Sequence, residues 1–117
     1  ATTSKAPKKE IEKMQQKGVN VLLAKSNKGM VDLQDLTKQL GKHDIASIMI
    51  EGGSELNSSA IKARVVDKIL IFTAPKIIGN GLGAIGNLGV NKIDKAINLK
   101  NPVCSRVGKD MLVEAYL

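Results

Sequence analysis

Aromatic side chains are nearly missing: Phe72 and Tyr116 are the only two, and there is no Trp. Proteins that hold single-stranded nucleic acid stack bases on aromatic rings, so this chain lacks the usual platform. Its core has to be aliphatic, built from Ile, Leu, Val and Ala. One cysteine, Cys104, excludes an internal disulfide and fits a reducing compartment. Lying in an expected strand, Cys104 reads as a buried or half-buried small apolar residue. With one histidine besides, no ordinary zinc site can be assembled, and no metal is expected. His43, in Lys42-His43-Asp44, reads as a surface residue at a helix end rather than a base. No apolar run reaches the ~18 residues of a bilayer span. No signal peptide is visible either, so the expectation is a cytoplasmic protein without a membrane partner. A Gly-x-Ser-x-Gly elbow and a Walker loop are both absent.

Acidic residues are outnumbered, 11 against 18 Lys and Arg, for a net charge of +7. That balance favours anionic partners such as nucleotides, sugar phosphates or nucleic acid. Lys5, Lys8, Lys9 and Lys13 crowd the start, where a solvated helix face is the simpler reading. Apolar residues make up 43% of 117, enough for one core but not two, so residues 1–117 are read as a single domain. The first residue is Ala1, and Ala1-Thr2-Thr3 reads like the tail of a strand. The chain is therefore expected to be a piece of a longer polypeptide.

Helix and strand patterns alternate. Residues 6–17 read as a helix, with Pro7 in the first turn, Ile11 and Met14 as an apolar stripe, and Gly18 at the end. Residues 19–24 form a short β-branched run, hence a strand. Asp32 is placed to cap a helix carrying Leu33, Leu36 and Leu40 on one face, with Gly41 near its end. Residues 45–50 are almost wholly apolar, the pattern of an interior parallel strand. Ser54 is expected to cap a helix running to Arg64, and residues 67–73 form a strand closed by Ala74-Pro75. A glycine-rich passage follows through Gly79, Gly81, Gly83, Gly86 and Gly89, reading as a long loop. Residues 97–99, 103–107 and 111–117 read as extended, with Gly108-Lys109-Asp110 turning between the last two. The pattern is that of an α/β sheet with an antiparallel hairpin at its end.

Glu51-Gly52-Gly53, between the apolar run and the helix at Ser54, is the strongest candidate site. Adjacent glycines let backbone approach a ligand closely, and a helix start aims N–H groups at the same spot. Ligands in open α/β sheets bind outside the carboxyl ends of strands. A tight turn with an exposed carboxylate is the alternative. Thr2, Thr3 and Ser4 end the first strand, where their hydroxyls either bond phosphate or ribose oxygens or cap the helix at Pro7. Lys25, with Ser26, ends the second strand, as a phosphate partner or an ordinary solvated lysine. Gly81-Leu-Gly-Ala-Ile-Gly86 matches the letters of the dinucleotide fingerprint, but it neither follows a strand directly nor opens a helix. It is not read as a nucleotide cradle.

Several segments together resemble the C-terminal reductase domain of the bacterial RibD family of riboflavin biosynthesis, and more distantly dihydrofolate reductase. They are Ile48-Met-Ile-Glu-Gly-Gly-Ser-Glu-Leu-Asn57, Val66-Asp67-Lys68 and Phe72-Thr-Ala-Pro-Lys-Ile-Ile-Gly79, with the glycine-rich loop behind them. Ala1-Thr-Thr and Met30-Val-Asp-Leu33 fit the same pattern, and the similarity covers essentially the whole chain. The resemblance implies a DHFR-like, mostly parallel twisted sheet with helices on both faces and an antiparallel C-terminal hairpin. It implies NADPH-dependent reduction of the ribosyl group of 5-amino-6-(5-phosphoribosylamino)uracil to the ribityl form. By position, Gly52 and Gly53 would hold the NADPH pyrophosphate near the helix at Ser54. Thr2, Thr3 and Ser4 would lie by the adenosine 2′-phosphate, with Lys25 as a second candidate. Glu51 would face the nicotinamide ribose and the substrate. A homodimer is implied, and nucleic acid is not expected as a partner.

The family's first strand with its Asp-Gly-Lys-type substrate motif and the phosphate-binding turn of its second strand are not found in this sequence. Neither is a deaminase domain, marked by His-x-Glu and Pro-Cys-x-x-Cys. The chain is thus expected to carry only part of the site. Two alternatives stand beside this reading: a DHFR-like reductase of another pteridine or pyrimidine, and a basic, non-catalytic nucleotide- or nucleic-acid-binding module.

Overall fold

The computed structural model describes residues 1–117. Its contacts separate two compact units, Ala1–Met49 and Ile50–Leu117. The architecture mixes three α-helices with small sheets.

In the first unit, β1 (Thr2–Thr3) pairs in parallel with β2 (Leu23–Ala24), with Thr2 opposite Leu23 and Thr3 opposite Ala24. Helix α1 (Lys8–Gln16) lies between them in the chain, making a short βαβ unit. Pro7 occupies its N-cap, where a missing N–H costs nothing, and Gly18 leaves it at φ +78. No residue of α1 is buried, so its lysines form a solvated face, with Ile11 half-buried. The expected strand over 19–24 is shorter than its apolar run, because only Leu23 and Ala24 find a ladder partner.

A hairpin not foreseen from the sequence follows: β3 (Ser26–Asn27) and β4 (Met30–Val31). Its two central residues, Lys28 and Gly29, both have positive φ, at 51° and 84°. That is the type I′ geometry matched to strand twist. Asp32 then caps α2 (Leu33–Lys42), its carboxylate accepting from the N–H groups of Gln34 and Asp35 at 3.0 and 3.1 Å. His43 is the C-cap of α2 and is exposed, in keeping with its helix-end context.

Residues 45–50, expected as an interior parallel strand, join no ladder and are all exposed. Ile48 and Met49 show 48% and 76% of their surface. Apolar character records a demand for cover; a strand also needs a neighbour for its N–H and C=O groups, and none of the three sheets pairs with this segment.

In the second unit, α3 (Ser54–Lys62) buries Ser58, Ala60 and Ile61. Gly53, not Ser54 as expected, is its N-cap. Strand β5 (Lys68–Thr73) pairs antiparallel with β7 (Asp110–Tyr116), which pairs on its other edge with β6 (Lys100–Val107). The β6–β7 turn has positive φ at Gly108 but not at Lys109, the type II′ pattern. Central β7 buries Leu112 and Ala115, which point to opposite faces. A single 3₁₀ turn, Ile93–Lys95, interrupts the long connection from β5 to β6. Residues 97–99 lie outside the ladder.

Cys104 is exposed rather than buried. It belongs to β6, an edge strand whose eight residues are all exposed because nothing covers either face. The longest ladder is antiparallel, and parallel pairing is confined to β1 and β2.

Candidate functional site

In the first unit the parallel register brings one group of expected site residues together. Thr3 faces Ala24 across the ladder, so Ser4 and Lys25 leave the carboxyl ends of adjacent parallel strands. The Thr2 N–H, donating to the Leu22 carbonyl at 2.9 Å, fixes that register. Thr3 is buried, and its hydroxyl accepts the Lys5 N–H at 3.4 Å, a weak local turn. The Thr3 carbonyl accepts the Ala6 N–H at 3.0 Å, and no side chain caps α1. The hydroxyls are therefore not spent on the helix. Thr2 is half-buried and Ser4 is exposed.

Lys25 is held from α2. Its backbone N–H donates to the Asp35 carboxylate at 2.9 Å, and its ammonium stands 3.9 Å from the same carboxylate. Gln39, one turn further on, donates to Asp35 at 2.8 Å and to the Leu23 carbonyl at 3.1 Å. The Lys25 N–H first, then Gln39, hold the Asp35 carboxyl below its ordinary pKa. Neither Asp35 nor Gln39 belongs to a motif visible in the sequence. Their spacing of four on a helix following a strand end was the available signal.

In the second unit Glu51, Gly52, Gly53 and Ser54 run into α3, and the two glycines differ. A Cβ on Gly52 would lie 2.5 Å from Leu56 Cδ2 and 3.0 Å from Leu56 Cβ, so a side chain there makes Leu56, itself 43% exposed, turn aside. Around Gly53 nothing lies within 4 Å of the Cβ position, and φ −72°, ψ 175° suit any residue. Neither packing nor backbone angle calls for glycine there. The space a side chain would take is open beside the first turn of α3, which no side chain caps. Helix-start N–H groups next to such a gap suit a phosphate oxygen. Glu55 in the first turn offsets part of the helix dipole, which leaves the N–H groups as the source of attraction. Glu51 is exposed.

The glycine-rich passage adds a second contact with α3. The Asn57 side-chain amide donates to the Ala84 carbonyl at 2.8 Å, and the Gly86 N–H donates to the Ser54 carbonyl at 2.9 Å. The segment rejected as a dinucleotide fingerprint thus touches α3 beside Gly53.

Comparison with known proteins decides the family. The family model of the RibD C-terminal domain matches residues 1–113. The chain belongs to that family. Among its relatives, the riboflavin biosynthesis protein RibD of Actinobacillus pleuropneumoniae is 38% identical over 107 residues, covering 90% of this chain and 28% of the relative. RibD of Aquifex aeolicus is 33% identical over 110 residues, covering 94% and 30%. The 2,5-diamino-6-ribosylamino-4(3H)-pyrimidinone 5′-phosphate reductase of the same organism is 32% identical over 116 residues, covering 97% and 51%. The chain spans between 28% and 51% of the length of these relatives. As a member of the RibD C-terminal domain family it has no helix long and apolar enough to cross a membrane. No group of three or more His, Cys, Asp or Glu is placed to hold a metal ion.

Proposed function

We propose that this chain is part of an NADPH-dependent reductase of riboflavin biosynthesis. The reaction is reduction of the ribosyl group of 5-amino-6-(5-phosphoribosylamino)uracil to its ribityl form. Family membership and the name of the Aquifex reductase, which acts on a phosphorylated aminopyrimidine, support the substrate class. The DHFR-like arrangement of one domain, the cytoplasmic location and the homodimer belong to the same proposal. Support for the homodimer comes from β6, whose exposed residues include Val103 and Val107. The observation that carries the cofactor reading is the open space at Gly53 beside an uncapped helix start.

The nicotinamide cofactor, when bound, supplies the hydride, and the protein's task is to orient two anionic reactants. Gly53 and the first N–H groups of α3, from Ser54 on, hold the pyrophosphate. Gly52 contributes by letting Leu56 close under the turn. Thr2 and Ser4 offer hydroxyls to the 2′-phosphate, Thr3 supports them from the ladder, and Lys25 supplies a cation shared with Asp35. Glu51 orients the substrate and the nicotinamide ribose.

The test is a fluorescence titration of the full natural chain with NADPH and NADH. NADPH is expected to bind more tightly than NADH, and Gly53→Val to weaken both. Unchanged NADPH binding by Gly53→Val removes the seat. A chain that binds neither nucleotide sinks the reductase reading, and salt-sensitive DNA binding in its place would favour the nucleic-acid module.

A further inference from the structure

We infer that Asn57 is a positioning residue for the cofactor: it pins the end of the glycine-rich loop against α3, where the loop walls one side of the pyrophosphate seat. The inference rests on the reading of Gly53 given above. Ser54 and Asn57 lie three residues apart on α3, hence on neighbouring positions of one face. Each takes one bond to the loop, Asn57 to the Ala84 carbonyl at 2.8 Å and Ser54 from the Gly86 N–H at 2.9 Å.

Close approach there depends on Gly86. A Cβ on it would stand 3.0 Å from the Ser54 carbonyl oxygen and 3.1 Å from Ser58 Oγ, and Ser58 is buried with its hydroxyl donating to the Glu55 carbonyl at 3.0 Å. Neither neighbour can give way cheaply. The bond from Gly86 engages the carbonyl of Ser54 and leaves the N–H groups of the helix start to a ligand. The other end of the loop differs. Gly79 and Gly81 have nothing within 4 Å, and Ile77, Ile78 and Leu82 are 103%, 89% and 97% exposed.

One end of the loop is thus ordered beside the seat before any ligand arrives. Ordering of a binding wall then falls to folding and is not charged against binding. Asn57 acts through the loop and touches no reacting atom.

The test uses the full natural chain with Asn57→Ala, Gly86→Ala and Asn57→Gln. Three quantities are measured: amide hydrogen exchange at residue 86, NADPH affinity by fluorescence, and the split between KM and kcat. For Asn57→Ala the Gly86 amide is expected to exchange faster, and the NADPH dissociation constant to rise about fivefold, the fold-change of one neutral hydrogen bond. The value of kcat at saturating NADPH should stay level. Gly86→Ala should reproduce the affinity loss, and Asn57→Gln, which keeps an amide donor, should recover part of it. Faster exchange with unchanged NADPH affinity overturns the positioning role, as does unchanged exchange. Gly53→Val separates the two ideas. If it abolishes binding while Asn57→Ala does not weaken it, only the positioning role fails; if neither variant affects NADPH, the seat fails as well.

Discussion

The carboxylate of Asp35 accepts the backbone N–H of Lys25 at 2.9 Å, joining the first turn of α2 to the end of β2 across ten residues. A helix thereby fixes the strand end from which Lys25 projects. Gln39 doubles the link by donating both to Asp35 and to the Leu23 carbonyl.

That link carries a pH dependence whose sign follows from the bonds made to Asp35. The folded chain holds Asp35 below its ordinary pKa of 3.8, so the native state favours the ionised form. The stability it contributes is complete above the unfolded value and is lost as pH falls from 3.8 through the lower folded value. Asp35→Asn should unfold at lower temperature than the parent at neutral pH. In acid unfolding followed by circular dichroism, the gap between the two proteins should close below pH 3.8. A gap that stays constant through that range would show that the charge on Asp35 has no part in the link.

The two glycines of the turn should respond in opposite ways. Gly52→Ala makes the half-exposed Leu56 turn aside and is expected to cost less than about 1 kcal/mol in a denaturant melt. Gly53→Ser gives α3 the cap it lacks and should add a few tenths of a kcal/mol. The same serine fills the open space, so NADPH affinity should fall although stability rises. A Gly53→Ser protein that binds NADPH as well as the parent would remove the reason for glycine at this position.

Leu112 is one of the few large apolar side chains removed from solvent, and it lies on the central strand β7. Leu112→Ala is expected to destabilise the second unit by about 2–4 kcal/mol, through lost burial and the cavity left behind. Ile93→Ala, at a position 92% exposed in the connection from β5 to β6, should change stability by less than about 0.5 kcal/mol. Urea melts of the two variants give the comparison.

The sequence showed the helices because their ends are marked by local chemistry. Pro7 and Asp32 start the first two, Gly18 follows the first, and the start of α3 was misplaced by one residue, at Ser54 instead of Gly53. The terminal hairpin was equally plain, since Gly108 fits the one position of its turn that needs positive φ. Residues 45–50 misled for a different reason. Their apolar run states that burial is favourable, but pairing depends on a neighbouring strand that no local pattern encodes. Lys28-Gly29 was a readable turn, obscured because a lysine stands where asparagine is usual.

The candidate site was legible in the same measure. Glu51-Gly52-Gly53 declared itself by doubled glycine ahead of a helix, yet nothing local separated a glycine packed against Leu56 from one with open space around it. The bond from Asn57 to Ala84 spans 27 residues, beyond any periodicity. Asp35 lies on a helix whose pattern is dominated by its apolar face, Leu33, Leu36 and Leu40, and carries no local mark of its own.

Cys104 is the only thiol in the chain, and it is solvent-facing on β6 opposite Val113. A maleimide dye or spin label would therefore attach at one defined place without prior mutagenesis. Set on an edge strand away from Gly53 and Asn57 in sequence, such a reporter offers a way to watch the β6–β7 hairpin while the nucleotide is titrated.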